Sequence, residues 1–173
     1  MNPILKNILL NKGILPKSKI YYTSSTWVEW DKSAGVVGDA TGLEFTSDGA
    51  SYLAGKCALA FNPSAKYGVL YNVVSSTYNQ FFFIRGYVSN SALSDTIIPK
   101  TVGDNKAIFT TSASPTSTLL GFFIVPTTAG EKIKIKNVRV IELPIGSRID
   151  ADFTKLTGEQ LNIKYPFNKV NRR

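Results

Sequence analysis

The stretch 80–88 reads Gln-Phe-Phe-Phe-Ile-Arg-Gly-Tyr-Val. Strand side chains alternate between faces with a period of two. That period puts Phe82, Ile84, Gly86 and Val88 on one apolar-or-glycine face, which is expected to point into a core. The opposite face then carries Phe81, Phe83, Arg85 and Tyr87. Aromatics and arginine anchor interfaces, and aromatic rings also stack on sugars. The row therefore reads as a docking strip for a subunit or a glycan, unless another layer of the same chain covers it. Trp27-Val28-Glu29-Trp30 places its two indoles on opposite faces of a strand. A surface indole beside Glu29 and Asp31 suits a carbohydrate, where stacking and carboxylate hydrogen bonds act together. Partly buried packing is the competing reading.

The remaining chemistry is sparse. The 173 residues include no histidine and one cysteine, Cys57, which excludes Ser-His-Asp and Cys-His triads and every Cys/His zinc site. Cys57 reads as a small buried hydrophobe. Asp39, Glu44 and Asp48 form one acidic group and Asp150 with Asp152 another, but neither has a recognised calcium-loop spacing. Nothing fixes two carboxylates at a separation that would hydrolyse a glycosidic bond. No catalytic residue, metal site or cofactor is assigned, and the chain reads as non-enzymatic.

The net charge of +8 sits at the ends. Residues 1–20 hold Lys6, Lys12, Lys17 and Lys19 without an acid, and residues 155–173 hold five cations against Glu159. Residues 21–154 balance at eleven of each sign. A neutral body with two basic ends suggests termini that dock on something acidic, or simply solvated tails, and makes nucleic acid an unexpected partner. Ile4, Leu5, Ile8 and Leu9 fall at helical spacing, so residues 1–19 read as an anchoring segment inserted into a neighbour. The segment is too short for a secretory signal or a membrane span.

These residues need a scaffold, and the body supplies a β one. Ser and Thr number 31, mixed with Val, Ile, Phe and Tyr as in short strands and turns. Runs at Trp27–Trp30, Leu43–Thr46, Tyr67–Val74, Gln80–Val88, Lys106–Thr111, Thr118–Val125 and Lys132–Leu143 are separated by turn signals. About seven or eight strands in a domain of this size predict an all-β jelly-roll β-sandwich over 20–145. Residues 66–74 read as a half-buried strand, and 118–125 is apolar on both faces and must be covered on both. In 132–140 the apolar positions change parity between Ile135 and Val138, which predicts a β-bulge at Lys136–Asn137. Residues 146–173 read as a short helix and basic tail. Thr157-Gly-Glu-Gln160 matches a capping box, so a single helix should start there and stop before Pro166. Tyr165 and Phe167 then need a surface, under the sandwich or on a partner.

The stretch from Gly130 through Asn137, Glu142 and Pro144 continues through Gly146-Ser147, Ile149-Asp150, Asp152-Phe153 and Leu156-Thr157. It closes with Gln160-Leu161 and Lys164-Tyr-Pro-Phe167. This pattern resembles the end of modules in tailed-bacteriophage virion proteins: tail fibres, tail appendages and head fibres. Lys66-Tyr67, Tyr71-Asn72-Val73, Thr118-Leu119 and Phe122-Phe123 are similar to strands of the carbohydrate-binding-like jelly roll in those proteins. The resemblance covers about residues 60–167. It implies a structural virion subunit assembled in the bacterial host cytoplasm, a capsid decoration, head-fibre or tail-appendage protein. Its implied partners are capsid, portal, collar or tail proteins and further copies of itself, with a host glycan as the alternative ligand.

Overall fold

The alternating runs fold as strands in a computed structural model that describes residues 20–23, 31–39, 42–58, 61–88, 91–111, 113 and 118–165. For 20–23, 31, 57–58, 85–88, 91–95 and 118–119 the description is of the backbone. Ile4, Leu5, Ile8, Leu9, Trp27, Trp30 and Phe167 lie outside the described residues.

Two antiparallel sheets face each other. In the first, the order is β3 (Val36–Asp39), β4 (Gly42–Thr46), β11 (Lys132–Glu142), β6 (Lys66–Ser76) and β9 (Gly103–Thr110). A further strand, β1 (Ile20–Thr23), pairs with the second half of β11. The second sheet runs β2 (Asp31–Lys32), β5 (Leu53–Ala58), β10 (Thr118–Ile124), β7 (Phe82–Val88) and β8 (Ser91–Ile97). The chain changes sheet at most connections, as a jelly roll does. Six of the expected runs appear with ends shifted by a few residues. β1, β2, β3, β5 and β8 are additional.

The main core lies between the sheets. β6 contributes Tyr67, Val69, Tyr71 and Val73, β10 contributes Leu120, Phe122 and Ile124, and β7 contributes Phe82 and Ile84. Their rings interlock: Phe82 stacks on Phe122 at 5.7 Å, and Tyr71 meets both edge-on at 6.3 and 5.7 Å. Such aromatic pairs add to the area term of burial.

The parity change in β11 is a bulge at the expected place. Lys136 pairs with Asn72 while Arg139 pairs with Leu70, so β11 uses one residue more than β6. Asn137 takes it up with φ at 54°. Ile133, Ile135, Val138 and Val140 consequently all reach the main core, and Arg139, Ile141 and Leu143 turn to the outer face.

That outer face corrects two expectations. Residues 66–74 do not form a half-exposed strand, because Leu70 is buried in a second cluster with Ile141, Leu143, Ile149, Phe153 and Leu161. Among the described residues, 146–165 also form two helices where one was expected. Thr157 caps α2 (Gly158–Lys164) through the expected capping box. Before it, α1 (Arg148–Lys155) starts at Ser147, whose hydroxyl accepts from the Asp150 N–H at 3.2 Å. Phe153 of α1 lies against Gly68, where no side chain larger than hydrogen would leave it room.

Cations from the first sheet then hold the helices by their C-terminal ends, where the helix dipole is negative. The Lys106 ammonium donates to the Phe153 carbonyl, and Arg139, 2% exposed, donates to the Tyr165 carbonyl and to Asn162 Oδ1. Burial lowers the pKa of both cations, offset for Arg139 by Asp104 nearby. Lys66 Nζ meets Asp150 at 2.5 Å, and Asp104 accepts from Asn162 at 2.8 Å. Tyr165, the first of the two tail aromatics, closes this end: its hydroxyl donates to Asp152 at 2.6 Å.

Candidate functional site

With the first sheet's outer face occupied by helices, the second sheet's outer face is where a ligand can be sought. It can be read in rows from the strand register. Ala54, Phe123, Phe83 and Ile97 are cross-strand neighbours on β5, β10, β7 and β8. Phe83 and Phe123 stack at 5.4 Å with their planes 11° apart, and with Ala54 they form a small buried cluster. Among the described residues, that cluster holds no helix residue. The Phe123 ring lies down along its own strand over Gly121, which has no Cβ to obstruct it.

One residue beyond the paired trio Leu53, Ile124 and Phe82, the same edge of the sheet carries Tyr52, Val125 and Phe81. Tyr52 is 64% exposed and Phe81 60%. Adjacent strands are about 4.8 Å apart, so the backbones of these two rings stand about 10 Å apart across the β10 line. Ile97 is also exposed. Two or three apolar side chains in water at one end of a sheet form a patch of the kind that marks recognition surfaces.

The loops at this end are tied together tightly, which fixes where the rings sit. Tyr78 is buried, and its hydroxyl accepts from the Val125 N–H at 2.9 Å while lying 3.0 Å from the Phe81 carbonyl and 3.1 Å from that of Val125. Burial raises the Tyr78 pKa to about 12, so the hydroxyl stays a donor. Lys100 Nζ donates to the Gln80 carbonyl at 2.7 Å and lies 5.4 Å from the Tyr78 ring centre. On the Tyr52 side, the Ser47 N–H donates to the Glu131 carbonyl and the Gly130 N–H returns to Ser47. Asp48 accepts from the Ala50 and Ser51 N–H groups at 2.8 and 2.7 Å. Hydrogen bonds from Ser51 and Ala50 hold its carboxyl at about 2. Thr127 donates to Glu131 Oε2 at 2.9 Å.

The residues expected to bind are thus distributed unevenly. Phe81 is on the surface, whereas Phe83 is 4% exposed and stacked under its neighbours. Arg85 and Tyr87 continue the same strand, with Arg85 opposite Gly121 and Asp95 in register. Tyr52, Tyr78 and Ile97 were not anticipated. Tyr52 precedes a strand of mostly small residues, Leu-Ala-Gly-Lys-Cys-Ala, whose apolar signal is weak.

The acidic groups considered for calcium are spent elsewhere. Lys134 lies 3.7 Å from Asp39 and 3.9 Å from Glu44, Lys132 meets Glu44 at 3.1 Å, and Lys164 meets Asp152 at 2.6 Å. Among the described residues no group of three His, Cys, Asp or Glu could hold a metal ion. Nor is any described helix long and apolar enough to cross a membrane.

Compared with protein families and with curated proteins, the chain matches none. Solved structures do resemble it. The CBM22-1 xylan-binding domain of Paenibacillus barcinonensis Xyn10C superposes with a TM-score of 0.50 at 11% identity, over 76% of this chain and 99% of that one. CBM29_1 of Piromyces equi gives 0.48 at 12% identity, over 78% and 97%. A Stig cyclase, Fisc, of Fischerella sp. TAU gives 0.43 at 11% identity, over 60% and 63%. These identities speak to fold, and the fold is the jelly-roll sandwich common among carbohydrate-binding modules.

Proposed function

We propose that this domain is a non-catalytic carbohydrate-binding module whose ligand lies against Tyr52 and Phe81. The observation that carries the reading is the pair of exposed rings in one row of a sheet face, held in place by Tyr78 and the interlocked loops. Sugar rings present flat C–H faces to aromatics and hydroxyls to the polar groups around them. Asn79, Lys100, Thr127 and Glu131 supply donors and acceptors at this edge. The xylan-binding neighbour supports the reading through a shared fold. The test is a glycan array followed by calorimetry on the intact chain. Binding that weakens at least tenfold in both Tyr52→Ala and Phe81→Ala, about 1.4 kcal/mol each, is the expected result. A folded protein that binds no glycan would reject it.

A second reading gives the module a setting. The stretch resembling phage virion modules, 130–167, includes β11 and both helices, which pack together as one unit. On this reading the domain is a decoration, head-fibre or tail-appendage subunit that displays the sugar-binding face on a virion, with Ile4, Leu5, Ile8 and Leu9 as its anchor. Replacing those four by Ser should leave a folded domain that no longer joins particles. Normal incorporation of that variant would remove the anchoring role.

A further inference from the structure

Ala54, Phe123, Phe83 and Ile97 form one row on the outer face of the second sheet, where the Phe123 ring leans over Gly121. Ala54, Phe83 and Phe123 are each 4% exposed, yet Ile97 in the same row is 66% exposed and Phe81, two residues before Phe83, is 60%. Two rings stacked at 5.4 Å shield one side of each other and not both. On the first sheet, Leu70 and Ile141 fall to 1 and 2% because Phe153 and Leu161 of the helices pack with them. Among the described residues the rings of the second sheet have no such layer above them, and Val125 packs against the trio as a partly buried neighbour. The step from 60% to 4% along one strand marks the margin of something that lies on this face.

The chain outside the described residues has four stretches of four residues or more: 1–19, 24–30, 114–117 and 166–173. Residues 114–117 are Ser-Pro-Thr-Ser, without a large apolar side chain. Residues 166–173 follow Tyr165, whose carbonyl accepts from Arg139 on the outer face of the other sheet. Residues 24–30 are tied to β1 in one sheet and β2 in the other and must cross between them. Residues 1–19 lead into β1 and bring Ile4, Leu5, Ile8 and Leu9 at the spacing of one helix face. Asn2-Pro3 before these four and Gly13 after them are residues that favour the start and stop of a helix. Leu10–Lys19, fully extended, reaches about 33 Å. Two layer spacings of about 10 Å each separate β1 from a helix above the second sheet.

We infer that residues 1–19 fold back over the second sheet of their own chain, with Ile4, Leu5, Ile8 and Leu9 seated on Ala54, Phe83 and Phe123. The sandwich is then roofed on both sides. The roof stops short of Tyr52, Phe81 and Ile97, so the row read above as a glycan site stays open. In the virion setting, the same four side chains enter a neighbour only by leaving these rings.

The test is hydroxyl-radical footprinting, read residue by residue by mass spectrometry, on the intact chain and on its Ile4→Ser/Leu5→Ser/Ile8→Ser/Leu9→Ser variant. In the variant, oxidation of Phe83 and Phe123 should climb several-fold, toward the rate of Phe81, while Phe122 and Tyr71 between the sheets stay protected. In the intact chain, protection of the two rings should not change on dilution. Rings that stay protected in the variant would overturn the inference and pass the cover to another segment. Protection that fades on dilution would also overturn it and pass the cover to a second copy. Should the variant unfold and oxidise Phe122 and Tyr71 as well, the photo-crosslinker benzoylphenylalanine in place of Ile8, in the otherwise intact chain, decides. Light should link it, within one chain, to the peptides that bear Phe83 or Phe123; links elsewhere, or none, would overturn the inference.

Discussion

The two outer faces of this sandwich share a device. Each has a glycine in a central strand with a phenylalanine ring lying on it: Gly68 under Phe153, and Gly121 under Phe123. The rings come from different places. Phe153 is brought by a helix, together with Ile149 and Leu161, and sheet cations grip the helix ends around it. Phe123 belongs to the sheet itself, and among the described residues it packs with Phe83, Ala54 and Val125 and with no helix residue. A sheet face closed by another element is finished as a surface. The other face keeps an edge in water, and that edge carries Tyr52 and Phe81. Where a strand side chain points does not settle whether it is available; what lies above it does.

The contrast can be broken most forcefully on the closed face. Phe153→Ala should remove about 3–5 kcal/mol of stability, read from urea unfolding, while the remaining folded protein keeps its glycan affinity. Next comes the positioning of the open edge. Tyr78→Phe leaves the Val125 N–H without the hydroxyl that accepts from it, and should cost about 2 kcal/mol. It should also weaken glycan binding a few-fold by loosening the Phe81 backbone. Tyr52→Ala and Phe81→Ala should reverse the balance, losing about 1.4 kcal/mol of binding each and less than about 0.5 kcal/mol of stability.

The smallest effect is on pH. The hydrogen bond from Lys66 holds the Asp150 carboxyl below its ordinary 3.8, against the cost of burial and with help from the Gly146 N–H. Its depressed folded-state pKa contributes stability at pH values above 3.8 that drains away as pH falls through and below that value. Asp150→Asn should therefore flatten the acid limb of the stability curve and cost less than about 1 kcal/mol at neutral pH. An unchanged acid limb would show that the Lys66 pair adds nothing.

The sandwich could be read from alternation and turn residues because those signals are local. The bulge in β11 could be read for the same reason: a parity change is visible in nine consecutive residues. β5 escaped because glycine, alanine and cysteine give little hydrophobic contrast, and Tyr52 was lost with it. Helix α1 escaped although Ser147 and Asp150 have N-terminal capping spacing. Its dependence on Lys66, Lys106 and Gly68 comes from distant parts of the chain. The 80–88 strip was correctly divided into core and outer positions for Phe82, Phe83 and Ile84, yet alternation alone cannot foresee that Phe83 is roofed and Phe81 is not.

The extra residue at Asn137 also governs how this protein can change length. Removing it would merge the two halves of β11 into one regular alternation, with Val138 and Val140 still facing the apolar interior and Arg139 still gripping α2. Removing a single residue elsewhere in the strand would turn the positions beyond it to the wrong face. Outside the bulge, β11 thus behaves like a message with a two-letter frame: single insertions or deletions scramble every position that follows, whereas paired ones preserve the sense. The loop bearing Tyr52 has no such frame, so among relatives of this chain lengths should vary there and at the bulge, and hold constant, modulo two, along β11 on either side of the bulge.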